Sequence, residues 1–238
     1  MIDLVYILKE GASNWQDNEI RHSLRSAEKN LKFNNVVIVG YKPEFLKNVI
    51  HIPAADDLPE KHNNAVKKVL IACNDERVGE KFAFMNDDFF ITKKINEIPY
   101  LHMGMIQDYL DSHRKHEGGI YYQAMKRTAE VLGKDALNYE LHFPMVFEKS
   151  TIEELAKKFN LWRIVNFRSE PGYLIRSLYG NYFKVGGEQV KDNKFTGKAI
   201  TAPIENDLFF STNNSETRNE VTRFFIKQLF PNKSKHEH

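Results

Sequence analysis

Val36-Val37-Ile38-Val39-Gly40 is an unbroken, β-branched apolar run that stops at a glycine. A strand with one wet face alternates apolar and polar residues, so a run without alternation belongs to a strand covered on both faces, as in a parallel sheet. The neighbouring segments agree. Ile2 to Leu8 is a second apolar, β-prone strand, Val49-Ile50-His51-Ile52 a third and Phe82-Ala83-Phe84-Met85 a fourth. Between them, Asn18 to Leu31 places Ile20, Leu24, Ala27 and Leu31 at helical spacing behind a potential cap at Asp17. Asn63 to Cys73 does the same with Ala65, Val66, Val69, Leu70 and Cys73. Strands alternating with helices predict an α/β fold: a mixed, mostly parallel central sheet flanked by helices, with ligands at the carboxyl ends of the strands.

The second half is less regular. Ile120 to Leu132 and Thr151 to Asn160 read as helices, the latter capped by Ser150 or Thr151. Leu178 to Gly187 is aromatic and glycine-rich, Gly186 to Thr201 reads as a loop, and Asn219 to Phe230 as a last helix stopped by Pro231. No linker divides the chain, so one domain over 1–238 is expected, with halves at 1–100 and 101–238.

Composition narrows the function. With 238 residues, 42% of them hydrophobic, the chain can bury a sizeable core. No run approaches the ~20 apolar residues of a membrane helix. The N-terminus lacks the basic lead of a secretory signal. The single cysteine, Cys73, excludes a disulfide framework and a cysteine-based zinc site, fits a cytoplasmic setting, and reads as a buried thiol. A net charge of +2 gives no general polyanion signal. The histidines at 102, 113 and 116 fit no firm zinc spacing.

The chemistry concentrates at Asn86-Asp87-Asp88, directly after the fourth strand. Two adjacent carboxylates at a buried strand end need compensation. A hard divalent cation, Mg²⁺ or Mn²⁺, would supply it, hold a diphosphate and neutralise a leaving nucleotide. A solvated turn or a helix cap is the simpler alternative for such a pair.

Several segments, taken together and in order, resemble the Stealth family of sugar-phosphate transferases, which includes bacterial capsule polymerases and a lysosomal-enzyme GlcNAc-phosphotransferase. Asn18-Glu19-Ile20-Arg21-His22-Ser23-Leu24-Arg25-Ser26-Ala27-Glu28-Lys29 resembles the family's "NELRYSLRSxEK". Asp3-Leu4-Val5-Tyr6 resembles its opening "DVVYTWVDG", and Leu58-Pro59 through Val66 its "LPTFNSxAIE". Phe82 to Phe89 resembles "FiYlNDDvf", His142-Phe143-Pro144 its "HxP", Phe167-Arg168-Ser169-Glu170 its "vRxSed", and Phe230 to Glu237 its terminal "FPxpSxFE". The resemblance implies a GT-A-like nucleotide-sugar transferase fold and a UDP-linked donor. Asp87 and Asp88 would hold the metal, and Asn86, Gly11, Arg21 and Arg25 would place the nucleotide and diphosphate. Asp88, His142 and Arg168 would act near the reacting groups. Histidine suits removal of a hydroxyl proton, and arginine suits developing phosphate charge.

This chain also departs from the family pattern. Ile7-Leu8-Lys9-Glu10-Gly11 stands where the family has "WVDG", and Lys67 stands where "AIE" has its glutamate. Three readings follow. The first is a transferase acting on a hydroxylated acceptor such as a glycan. The second is a phage-type enzyme that glucosylates hydroxymethylated DNA bases, with the Lys-rich segment Gly186 to Lys198 and Phe195 as its nucleic-acid contact. The third is a sugar-nucleotide binder without turnover.

Overall fold

The computed structural model describes residues 1–166, 172–195, 207–213 and 216–238. Its centre is a five-stranded sheet of order β3-β2-β1-β4-β7 among the described residues, formed by β1 (Ile2–Leu8), β2 (Phe33–Gly40), β3 (Ile50–Ile52), β4 (Lys81–Met85) and β7 (Met145–Glu148). The first four strands run parallel, with Val5 opposite both Val37 and Phe84, and β7 joins β4 antiparallel. Helix α1 (Asn18–Asn30) connects β1 to β2, and α2 (Lys61–Asn74) connects β3 to β4.

Alternate residues of each strand feed two cores, as a period of two requires. Val5, Val37, Val39 and Phe84 pack with Val66, Val69 and Leu70 of α2. Leu4, Tyr6, Ile38 and Met85 pack with Ile20, Leu24 and Ala27 of α1. Burial on both faces is what the unbroken apolar runs demanded. Cys73 lies inside the first core as a free thiol, and burial pushes its pKa up to about 12.

The remaining elements wrap this sheet. They are β5 (Phe89–Ile91), β6 (Leu101–His102), α3 (Ile106–Ser112), α4 (Ile120–Leu132), α5 (Lys149–Lys158), α6 (Leu161–Asn166), α7 (Ile175–Tyr182), β8 (Glu188–Gln189), β9 (Phe209–Ser211) and α8 (Glu220–Leu229). β5 pairs antiparallel with β9, and β6 parallel with β8. The expected 1–100 and 101–238 halves share the central sheet, because β7 completes it. Among the described residues no helix is long and apolar enough to cross a membrane.

Two expected caps are corrected. Asp17 sits at the α1 cap position in left-handed backbone (φ 57°), and its side chain accepts no cap bond. Ser13 organises the turn before the helix: its Oγ accepts from the Trp15 and Asp17 amides at 3.0 and 2.8 Å. α5 begins at Lys149, so Ser150 and Thr151 are already helical. Their hydroxyls bond Glu80 and the Glu148 carbonyl instead. The aromatic segment expected from Leu178 lies partly within α7, which starts at Ile175. By contrast, Asn219 caps α8, accepting from the Val221 amide at 2.9 Å.

Candidate active site

The strand order reverses between β1 and β4, so their carboxyl ends open a crevice beside each other. Residues 9–17 leave β1 there, and Asn86-Asp87-Asp88 leaves β4. The tight turn from β4 to β5 is closed by the Phe89 amide on the Asn86 carbonyl, and it leaves all three motif residues half-buried.

Their surroundings are acidic. Burial, then the charges of Glu19 and Asp17, push the Asp87 carboxyl up to about 6. Burial and Asp87 raise Asp88 well above the ordinary carboxylate range, and Lys194 works against them. Glu19 is buried. One of its carboxylate oxygens accepts from Ser13 Oγ at 2.5 Å, and the other has no partner. Among the described residues no three His, Cys, Asp or Glu side chains converge on a common cation position. Asp87 and Asp88 are two hard oxygen donors at one turn, the donor type that Mg²⁺ and Mn²⁺ take.

On one side of this corner a cleft of about 550 Å³ follows the ends of β1 to β3, lined by Lys9, Glu10, Gly40, Tyr41, Pro53 and Asp56. Gly40 is required where it stands: its φ is +106°, and a Cβ would sit 2.2 Å from the Leu8 carbonyl oxygen. The buried Lys68 ammonium donates to that carbonyl at 2.5 Å and to Asp56 at 2.7 Å, which fixes the cleft floor. Gly11 (φ +67°) lies in the exposed turn after β1 with no atom near its Cβ direction.

On the other side, Asn86 shares a cavity of about 160 Å³ with His62, Tyr121, Glu140, His142 and Arg176. Arg176 is buried. It donates to the Leu141 and Phe143 carbonyls at 2.7 and 2.5 Å and lies over the Phe84 and Phe89 rings. Burial brings its pKa down to about 10, opposed by Glu140, Asp192, Tyr121 and Asp88, so it remains a cation at neutral pH. Burial raises the Glu140 carboxyl against the pull of Arg176. His142 meets Asp192 twice: its amide donates to Oδ1 at 3.0 Å and its ring Nδ1 lies 2.6 Å from Oδ2.

Of the residues expected to form the site, Asn86 and His142 line one cavity, and Asp87 and Asp88 adjoin it. Arg21 and Arg25 pair with a residue to which the motif reading assigned no role. Glu237 takes both guanidinium groups, Arg21 Nη1 at 2.6 Å and Arg25 through Nε and Nη2 at 2.7 Å each. Their charge is spent on a buried carboxylate near the C-terminus rather than left free for a diphosphate. Arg168 lies outside the described residues. Lys67 pairs with Asp57 at 2.5 Å and does not line the His142 cavity. In the Lys-rich segment, whose residues 196–198 lie outside the described ones, Phe195 packs edge-on against Phe210. The sequence reading missed Glu140, Arg176, Asp192 and Lys194. Glu140 was within reach of notice, two residues before His142. The others come from distant segments that only the fold brings together.

No family model and no curated protein matches this chain. Among solved structures, galactosyltransferase LgtC in complex with donor and acceptor sugar analogs is similar at TM-score 0.51 and 9% identity, covering 98% of this chain and 97% of that one. An active-site mutant of LgtC gives 0.48 and 10%, covering 98% of each chain. Mouse xyloside xylosyltransferase 1 in its apo form gives 0.43 and 12%, covering 91% and 99%. The α/β architecture is thus GT-A-like, the fold of glycosyltransferases.

Proposed function

We propose that this chain is a metal-dependent transferase that moves a sugar, or a hexose 1-phosphate, from a UDP-linked donor to a hydroxylated acceptor such as a glycan. The observation that carries this reading is the position of Asn86. It ends β4 at the sheet's switch point, borders the acidic pair, and lines the cavity that holds His142 and Arg176. The GT-A-like fold supports the reading, and so does LgtC, whose structure contains donor and acceptor sugar analogs. The Stealth-like motifs support the sugar-phosphate variant.

In this account the nucleotide lies along the cleft at the ends of β1 to β3, with Gly11 and Asn86 facing the diphosphate. The 1–100 half supplies this donor side and the 101–238 half the acceptor side. Asp87 and Asp88 would hold Mn²⁺ or Mg²⁺, which would supply positive charge against the departing nucleotide. Arg176 adds a fixed positive charge from a buried position, where such charge acts more strongly than in water. Arg168 is assigned a like role by its motif. His142 Nε2 takes the acceptor proton as the hydroxyl oxygen bonds to the anomeric carbon and the bond to the diphosphate breaks. In the phosphate variant that oxygen bonds to the sugar-bearing phosphorus, and the bond from that phosphorus to the bridging oxygen breaks, the oxygen leaving with UMP. The His142 cavity is built without Lys67, which favours an active enzyme over an inert binder.

The test is the identity of the released nucleotide. The protein is incubated with UDP-, GDP- and CMP-sugars and Mn²⁺ beside a panel of glycan acceptors. Release of UDP identifies glycosyl transfer, and release of UMP identifies sugar-phosphate transfer. No release from any donor contradicts the reading.

A further inference from the structure

We infer that Asp192 is the positioning residue that sets the ring orientation and tautomer of His142, leaving Nε2 as the proton acceptor. The inference rests on the transferase reading for its consequence in turnover, but its structural content stands alone.

The argument begins with the valence of a carboxylate. An ionised carboxylate only accepts hydrogen bonds. Oδ1 of Asp192 accepts the His142 amide at 3.0 Å, and Oδ2 lies 2.6 Å from the ring Nδ1. The second contact is a hydrogen bond only if Nδ1 carries the hydrogen. The neutral ring then has its lone pair on Nε2. Because the same carboxylate grips both the backbone and the ring, it fixes the side-chain torsions as well as the tautomer. The pair is half-exposed rather than sealed, with side-chain exposures of 35% for His142 and 20% for Asp192. A substrate hydroxyl can therefore reach the ring.

The segment that carries Asp192 is itself held. The Val190 amide donates to the His102 carbonyl at 2.9 Å and the Phe195 amide to the Ser211 carbonyl at 2.9 Å. Asn193 returns a bond to β9, its carbonyl accepting from the Ser211 amide at 3.1 Å, and its side chain donates to Asp207 at 2.8 Å. Lys194, two residues beyond Asp192, is the positive charge that opposes the rise of Asp88. One short strap thus serves both the histidine and the acidic pair, though it lies 50 residues from His142 in the chain.

Asp192→Asn makes a sharp test. An amide offers one accepting oxygen and one donating nitrogen. If the oxygen stays on the His142 amide, the NH₂ faces Nδ1, which must then accept, and the ring switches to the Nε2–H tautomer. Long-range ¹H–¹⁵N spectra of the full chain, at a pH where the ring is neutral, should show Nδ1–H in the wild type and Nε2–H in Asp192→Asn. Turnover of a nucleotide sugar should fall by roughly tenfold or more, since the lone pair no longer faces the acceptor. The donor dissociation constant should stay within about twofold, because Asp192 does not touch the donor cleft. A wild-type Nε2–H ring, an unchanged tautomer in the variant, or equal losses of turnover and donor affinity would each overturn the assignment. The wild-type spectrum requires no variant to fold. The tautomer is read without substrate: the expected tautomers together with no turnover of any nucleotide sugar would sink the transferase reading and leave the Asp192 clamp standing.

Discussion

At the scale of single residues, the site is defined by charges that the fold holds close together at a cost. Burial raises the proton affinity of both Asp87 and Asp88, the charges of Glu19 and Asp17 add to it at Asp87 and those of Asp87 and Glu19 at Asp88, while backbone amides and, at Asp88, Lys194 work against it. A site built to hold a cation should be strained without one. Asp88→Asn removes a repulsive charge of similar size. In the absence of metal it is expected to raise the melting temperature by about 2–4 °C, equivalent to about 1 kcal/mol, while abolishing Mn²⁺-dependent nucleotide binding. A calorimetric melt and a binding titration on the same sample check both halves. For His142, substitution by Ala should lower turnover roughly 10²- to 10⁴-fold and leave donor affinity intact. A parallel loss of affinity would make it a structural histidine. The Asn-Asp-Asp turn was legible because two carboxylates after four apolar residues are chemically conspicuous. Arg176 was not, because Leu174-Ile175-Arg176-Ser177 looks like any helix start. Its burial against Phe84 and Phe89 exists only once β4, β5 and α7 meet.

At the scale of elements, α1 and the C-terminal tail show how motif and structure can part. Arg21 and Arg25 lie on one helix face, as their spacing of four requires, and that face meets Glu237 rather than a ligand. Burial alone would raise the Glu237 carboxyl, but bonds from Arg25, the Ser234 amide and Arg21 overcome it and bring its pKa down to about 2, below the ordinary 4.5. A carboxyl depressed in the folded state stabilises the fold above its unfolded pKa and loses that contribution as the pH falls. Between pH 4.5 and 2 this group should therefore give up on the order of 3 kcal/mol. Glu237→Gln should destabilise the protein by about 3 kcal/mol or more at pH 7, because it strands two cations against a neutral group. Its deficit relative to the wild type should shrink as the pH falls towards 2. Urea melts at pH 7 and pH 3 provide the comparison, and a deficit independent of pH would contradict the assignment. The strands and principal helices were readable because their apolar periods differ, unbroken for strands and near 3.6 for helices. The caps were not, since Asp17 enters α1 through left-handed backbone, without a side-chain cap bond, and no local pattern marks that.

At the scale of the whole molecule, the sheet is a frame that brings three separate stretches to one edge. The ends of β1 to β3 form a cleft, the end of β4 places Asn86-Asp87-Asp88, and the 140–142 and 176 positions enclose the cavity beyond. The parallel half of this frame could be predicted because each strand carries its own signal. β7 and the 190–195 strap could not, because their places depend on pairings with residues tens of positions away. The central claim is that this edge of the sheet binds a nucleotide sugar through a metal at Asp87 and Asp88. Calorimetric titration of UDP-glucose and UDP-GlcNAc into the wild-type protein, with and without Mn²⁺, tests it most directly. The account predicts binding of a UDP-sugar that requires Mn²⁺ and disappears in Asp88→Asn, with ligand at 100 times its dissociation constant stabilising the fold by about 2.7 kcal/mol. Binding that is indifferent to the metal and to Asp88, or no binding of any UDP-sugar, would contradict it.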